Sequence, residues 1–503
     1  MEVPFCLRSF SVRRRSPAMS CHMRTQRGGH GAQRFSSRSS GWCWRSAGLL
    51  LLLAGGAPAF GQASVLDHSF KVGPGANDAV DGLVVQADQR ILVGGEFTTI
   101  GGCSNSFLAR LNANGSVDGS FNPSGQTDGA VLCLLQQPDR KVLVGGSFGR
   151  LLGHTQPALA RLLEDGSVDA TFDTSAVFNT NTAVYSMALQ EDGRLLVGYQ
   201  GLVDYWSRVV RLNTNGALDS TFVCTNQISG YIFALLPQAD GSVLFGGNFL
   251  GIMGSTNYAL FRLEPDGQLD DTFDAGLDMS SVFSLVRQPG GQILVGGLLN
   301  RTGASNSAPL LRLTSDLRWD EGFKIDALGG VGGGGYMDPS ISALLLQSDG
   351  KLIVGGYFFE VAGYWRRQIV RLTPEGRVDG CFDPGLGLGG TEPAGPVRAL
   401  TLQSDGNILV GGLFQGIDTA YGQANLARLL PQSDCDSIRV YLKGGDQAFA
   451  AATFPPGGTN YLEASADLTH WQTILTDTSP YLFDGWFSMA IAPQAFFRAR
   501  QER

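Results

Sequence analysis

The sequence predicts an all-β fold, a seven-bladed β-propeller followed by a small C-terminal β domain, on three observations. One stretch, seen most cleanly at Leu402–Phe414 as LQSDGNILVGGLF, returns seven times in a chain of 503 residues. Its Gly-Gly signature recurs every 48 to 59 residues (Gly94, Gly145, Gly198, Gly246, Gly296, Gly355 and Gly411), a spacing that suits one four-stranded blade. Asp-Gly and Asn-Gly pairs fall between the apolar runs at fixed offsets, the strongest short-range signal for a β-hairpin.

Each repeat has four pieces. The first is Asp-x-x-Phe: Asp67–Phe70, Asp118–Phe121, Asp169–Phe172, Asp219–Phe222, Asp270–Phe273, Asp320–Phe323 and Asp379–Phe382. An apolar strand such as Val184–Gln190 comes next, then Gln-x-Asp-Gly and the Gly-Gly strand. The fourth piece is a strand ending in Arg-Leu, at Arg110, Arg161, Arg211, Arg262, Arg312, Arg371 and Arg428. An Asn-Gly or Asp-Gly turn usually follows, read here as type I′ with positive φ at both central residues. An open stack of such sheets would leave two edges exposed, and closure into a ring removes them. The first Asp-x-x-Phe precedes the first blade, and the last blade lacks one after Arg428. The N-terminal strand is therefore expected to complete the last blade.

Composition agrees with this reading. Glycine is abundant (69 residues) and charge is sparse (16%), as short strands and tight turns require. Residues 1–63 differ from the rest: nine Arg, no Lys, one acid (Glu2), the apolar run Ala47–Ala54, and small residues at Ala57, Ala59, Gly61 and Ala63. That is the pattern of a secretory signal peptide with a basic extension, and the run is too short to span a bilayer. The expected location is secreted or in the cell envelope. Beyond residue 63 there remain 28 basic and 44 acidic residues, a net charge of −16. Nucleic acid, which needs a basic face, is excluded as a partner. No further hydrophobic run reaches membrane length, and a monomer is expected.

Cys103, Cys133, Cys224, Cys381 and Cys435 are widely spaced, odd in number and form no C-x-x-C, which rules out a dense disulfide framework or zinc ribbon; buried free thiols are expected, with one or two bridges as the alternative. His68, His154 and His470 fall in different units and offer no triad or metal set. In the turn Asn-x-Asn-Gly-x-x-Asp (Asn112, Asn114, Asp118; Asn213, Asn215, Asp219) the oxygens suggest part of a calcium loop. Arg110 and Arg211 stand where a first carboxylate would sit, which opposes a cation. The stronger reading is turn chemistry, with Asp capping backbone N–H groups and pairing with Arg. No cofactor is expected.

The composite pattern, D-x-x-F, then V-x-A-L-x-x-Q-x-D-G-K-I-L-V-G-G-x-F, then A-R-L-x-x-D-G-S, resembles the delta-60 repeat of bacterial exported proteins over about residues 65–433. The third copy departs at Gly198-Tyr199 and the fifth at Gln288–Gly291 and Ser315-Asp316. The resemblance implies a propeller-like fold and an extracellular or envelope location, and implies no reaction. The segment beginning Thr459-Asn-Tyr and ending in Phe496-Phe-Arg-Ala499 resembles the small β-sandwich that closes many exported proteins of Verrucomicrobia-like bacteria. The expected domains are thus 1–63 (signal peptide), 64–434 (propeller) and 435–503 (β-sandwich-like).

Strand parity places the short turns on one face of the ring and the long, variable connections on the other. Function concentrates in variable loops on a rigid scaffold. The candidate ligand-binding residues there are Tyr205, Trp206, Tyr258, Tyr336, Tyr364, Trp365 and Tyr421. Their rings suit stacking on sugar faces or an apolar partner patch; the competing reading packs them inward between blades. The function expected is non-catalytic binding of carbohydrate or an envelope protein. The alternatives are a lyase- or lactonase-like enzyme with acidic residues in a central channel, or a structural spacer. First strands such as Val184–Gln190, Ile341–Gln347 and Val397–Gln403 carry no acid, which weighs against the enzyme.

Overall fold

The computed structural model describes residues 66–121, 127–252, 259–277, 280–300, 308–323, 325, 328–329, 339–361, 364–365, 367–379, 382, 395–414 and 423–431, with six strands between 438 and 502. Every regular element among them is a β-strand. The first strands of the repeats are Val80–Val85, Val131–Gln136, Thr182–Leu189, Ile228–Pro237, Ser281–Arg287, Ser340–Leu346 and Val397–Leu402. The second strands are Ile91–Gly95, Val142–Gly146, Leu195–Gly201, Val243–Ile252, Ile293–Leu298, Leu352–Tyr357 and Ile408–Gly412. The third are Leu108–Leu111, Leu159–Leu162, Trp206–Leu212, Leu260–Leu263, Leu310–Leu313, Ile369–Leu372 and Leu426–Leu429. In each repeat the second strand lies between the other two and pairs antiparallel with both. Two more pairings, Trp206 with Ser229 and Ser207 with Ile228, join the third and fourth repeats into one six-stranded sheet.

The expected fourth strand is reduced to a single bridge. Leu111 meets Val117, Leu162 meets Val168, Leu212 meets Leu218, and the same contact recurs at Leu263–Leu269, Leu313–Trp319 and Leu372–Val378. The ladder stops there because Asp-x-x-Phe bends the chain at once, Phe121 N donating to Asp118 O at 3.1 Å. The turn before it also differs from a type I′ pair. Gly115 N donates to Asn112 O and Asn112 N to Ser116 O, and within Asn114-Gly115 only Gly115 has positive φ (89°). This is a three-residue loop ending in a left-handed residue, which glycine occupies without strain.

The Gly-Gly pairs are packing devices. A Cβ on Gly94 would lie 2.4 Å from a Val131 methyl of the next repeat, and one on Gly411 would lie 2.5 Å from a Val80 methyl. The second glycine accepts close approach of the first strand, since a Cβ on Gly95 would stand 2.1 Å from Ala79 O, although the third repeat bulges opposite Tyr199 instead. A bulge interrupts all seven first strands, taking Asp81, Leu132, Tyr185, Phe233, Phe283, Ser342 and Arg398 out of register.

Neighbouring repeats share their cores. One cluster joins Phe70, Val80 and Ile91 to Leu409 and Leu426. Each first strand lies beside the first strand of the next repeat, and Val397–Leu402 lies beside Val80–Val85. The last repeat takes from the N-terminal segment what the others take from the residues after their own turn. Leu66 bridges Leu429, and Asp67 N donates to Arg428 O at 2.9 Å. Beyond residue 437, Ile438–Lys443, Gln447–Ala452 and Phe483–Ser488 form one antiparallel sheet, and Gln472–Asp477, Thr459–Ser465 and Phe496–Glu502 another.

Candidate functional site

The recurrent Arg and Asp are engaged with each other, as turn chemistry requires. Arg110 Nε donates to Asp118 Oδ2 at 2.8 Å, while Ser120 N and Oγ donate to Asp118 Oδ1 at 3.0 and 2.6 Å. Arg110 Nη1 reaches the next repeat, donating to Asp165 O at 2.8 Å, and its guanidinium covers the Phe121 ring at 4.7 Å. The set returns as Arg161 with Asp169 and Phe172, Arg211 with Asp219 and Phe222, and Arg312 with Asp320 and Phe323. At the last repeat Arg428 pairs with Asp67, covers Phe70 and donates to Ala113 O. Burial pushes the Asp118 carboxyl up, but the bonds from Ser120 and Arg110 outweigh it and hold the group at about 2. Such a carboxylate is already spent on the fold.

Of the seven predicted site residues, two have described side chains. The hairpin joining Leu195–Gly201 to Trp206–Leu212 carries a tip in which Val203 is 72% and Tyr205 69% exposed, with Leu202 beside them. Trp206 is half-buried. Tyr205 therefore does not pack inward. The tip is held in shape: Arg208 Nη2 pairs with Asp204 Oδ2 at 2.6 Å, Trp206 N donates to Asp204 Oδ1 at 3.1 Å, and Gln200 Nε2 donates to Tyr205 O at 3.3 Å. Tyr205 sits at φ 58°, a left-handed conformation costly for a residue with a Cβ. Tyr364-Trp365 forms one arm of a two-residue hairpin with Glu360-Val361. Tyr258, Tyr336 and Tyr421 lie outside the described residues.

Three cysteines also have described side chains, all free: Cys133 and Cys224 are half-buried, while Cys103 is exposed. That corrects the expectation of buried thiols at Cys103, which lies on the small hairpin of Thr99–Ile100 and Cys103–Ser104. Cys381 and Cys435 lie outside the described residues.

The bulge positions hold side chains that inspection of single strands misses. Tyr185, Tyr231, Phe233 and Phe283, from three consecutive first strands, form one run of rings with centroids 5.1 Å (Tyr185–Tyr231), 5.8 Å (Tyr231–Phe233) and 5.5 Å (Phe233–Phe283) apart. Tyr231 is 41% exposed, and Tyr185, Phe233 and Phe283 are half-buried. On the first and last repeats, Arg398 Nη1 donates to Asp81 Oδ1 at 2.8 Å and lies 3.4 Å from Glu96 Oε1. The Asp81 side chain is 10% exposed, and its Oδ2 is buried without a partner. Burial pushes the Asp81 carboxyl up against the opposing pull of Arg398. Asp81 is the sole carboxylate on the seven first strands; aligning the strands on the residue after each buried Val or Ile would have found it. A hollow of about 610 Å³ at the meeting of the first and last repeats is lined by Pro74, Asn77, Thr99, Leu413, Phe414 and Asn425. Asn77 and Asn425 are bonded within the protein, to Thr98 and Ala76.

The chain is similar to known proteins in its repeats. Residues 86–121, 137–172, 190–222, 238–273, 347–382 and 403–437 match the family model described as "Domain of unknown function (DUF5122) beta-propeller". No curated protein matches the chain. Regucalcin, a calcium-binding protein from Agrobacterium tumefaciens, is 12% identical over 56% of this chain and 83% of its own, with a TM-score of 0.33. A luciferin-regenerating enzyme is 10% identical over 71% and 92%, with a TM-score of 0.30. The exo-β-1,3-galactanase of Phanerochaete chrysosporium is 10% identical over 87% and 96%, with a TM-score of 0.27. Over its described residues the chain is an all-β, propeller-like repeat protein, six of whose seven repeats match the DUF5122 β-propeller model.

Proposed function

We propose that the chain is an exported, non-catalytic binding module in which seven blades close into a ring and the long-connection face meets a partner in the cell envelope. Closure is supported by the Leu66–Leu429 bridge and the Arg428–Asp67 pair, which repeat at the seam the contacts found inside other repeats. The delta-60 resemblance, the signal-peptide pattern of residues 1–63 and a small sandwich after residue 435 complete this reading. A binding role is favoured over catalysis because the lone first-strand carboxylate, Asp81, is tied to Arg398.

The observation that carries the reading is the exposed tip of Leu202, Val203 and Tyr205, held open by Asp204 and Arg208. Folded chains do not leave a rigid cluster of aliphatic and aromatic side chains in water without cost, and such clusters mark interfaces. The tip projects outward, so it fits an apolar depression on a protein better than a flat sugar. The test is a photo-crosslinking amino acid placed at Val203 in the producing cell. A discrete protein adduct in the envelope fraction, lost on Tyr205→Ala with an unchanged melting temperature, is expected. Absence of any adduct, or an adduct that survives Tyr205→Ala, would overturn the tip as the contact.

A further inference from the structure

The bulge gives every first strand one residue that leaves the packed interface. Asp81, Tyr185, Phe283, Ser342 and Arg398 are each half-buried and follow a fully buried Val80, Val184, Val282, Ile341 or Val397. In the fourth repeat Tyr231 and Phe233 alternate with buried Ile232 and Ala234. The first strands lie side by side from the first repeat to the last and back, so on the closed-ring reading their bulge residues face one central opening. That opening is uneven. The third to fifth repeats supply the four aromatic rings, and the last and first supply Arg398, Asp81 and Glu96.

We propose that this opening binds a neutral saccharide, an inference that rests on the closed-ring reading above and names the ligand of its centre. A saccharide offers C–H faces to aromatic rings and hydroxyls that both donate and accept. Tyr231 and Phe233, stacked at 21° between planes, supply the ring surface. Arg398 uses only Nη1 within the protein, so Nε and Nη2 are free donors among the described residues, and half-exposed Glu96 is an acceptor. Asp81 is a positioning residue. Its Oδ1 fixes the guanidinium. Two carboxylates against one guanidinium disfavour an anionic ligand.

The test titrates the full chain with cellohexaose, xylohexaose, laminarihexaose and maltohexaose, with hexagalacturonate as the charged arm, by calorimetry. At least one neutral hexaose is expected to bind, with Tyr231→Ala and Phe233→Ala each weakening it about tenfold or more. Tyr231→Phe, which keeps the ring, should retain binding, and Tyr205→Ala should leave it unchanged. Binding of hexagalacturonate alone, no binding in any arm, or indifference to Tyr231→Ala overturns the proposal. Melting temperatures separate a lost ring contact from a lost fold. Small-angle scattering of the same samples separates the two readings: a failed titration on a compact ring overturns the saccharide site alone, and an extended profile overturns the ring beneath it.

Discussion

At the residue scale, the left-handed position that ends each tight turn is the clearest case of sequence dictating conformation. Gly193, Gly241, Gly350 and Gly406 hold it in Gln-x-Asp-Gly, and Gly115, Gly166, Gly216, Gly267 and Gly376 hold it after Arg-Leu. Where glycine is missing, the backbone keeps its shape and another residue accepts the strain: Gln89 at φ 67°, Arg140 at 68° and Leu317 at 62°. A left-handed residue with a Cβ costs about 1–2 kcal/mol. Leu317→Gly is therefore expected to stabilise the chain by about 1 kcal/mol, less the greater freedom glycine gains on unfolding. Urea denaturation measures it, and a destabilised variant would mean the Leu317 side chain, packed against the fifth repeat, matters more than its backbone. The sequence revealed where these turns fall. It did not reveal their type, because Asn-Gly serves a two-residue and a three-residue loop alike.

At the element scale, the Arg–Asp–Phe set does three things at once: it caps a turn, covers a ring and reaches the neighbouring repeat. Its carboxylates carry a pH signature. Asp67, Asp118, Asp169, Asp219, Asp270 and Asp320 all titrate below the ordinary 3.8, Asp118 at about 2. A carboxyl lowered by folding contributes stability that is present above its unfolded value and lost as pH falls through its folded value. Stability should thus hold down to about pH 4 and then fall steeply toward pH 2, acting on several repeats together. Chemical denaturation at stepped pH would show this, and a flat profile to pH 2 would contradict it. The pairing was legible because Arg and Asp recur eight positions apart. The bulges were not, since a bulge is a relation between two strands and leaves no mark on one of them. That is why Tyr185, Phe233, Phe283 and Arg398 escaped notice, while Tyr205 and Trp206, on a loop, did not.

At the scale of the whole molecule, the seam between the last repeat and the N-terminal segment is the point on which the architecture turns. Arg428 and Asp67 are both largely buried, at 10% and 8% side-chain exposure, and 361 residues separate them. Removing one partner of a buried pair leaves an uncompensated charge and costs about 3–5 kcal/mol. Arg428→Ala should lower stability by that order and loosen protection of residues 66–72 in hydrogen exchange before other repeats. If those amides stay as protected as the rest, the segment is held by something other than this pair. Much of the architecture was legible in the chain, including the N-terminal segment completing the last repeat, because the missing Asp-x-x-Phe is a visible gap. The fourth strand was overcounted because its residues look like strand but turn away after one bridge.

The seam also sets a schedule. Leu66, Phe70 and Val72 leave the ribosome more than 350 residues ahead of their partners Leu426 and Leu429. At roughly 5–20 residues per second, that is a wait of about 20–70 s with apolar side chains unsatisfied. The seam can therefore close only after the seventh repeat has been made, however early the other repeats take shape.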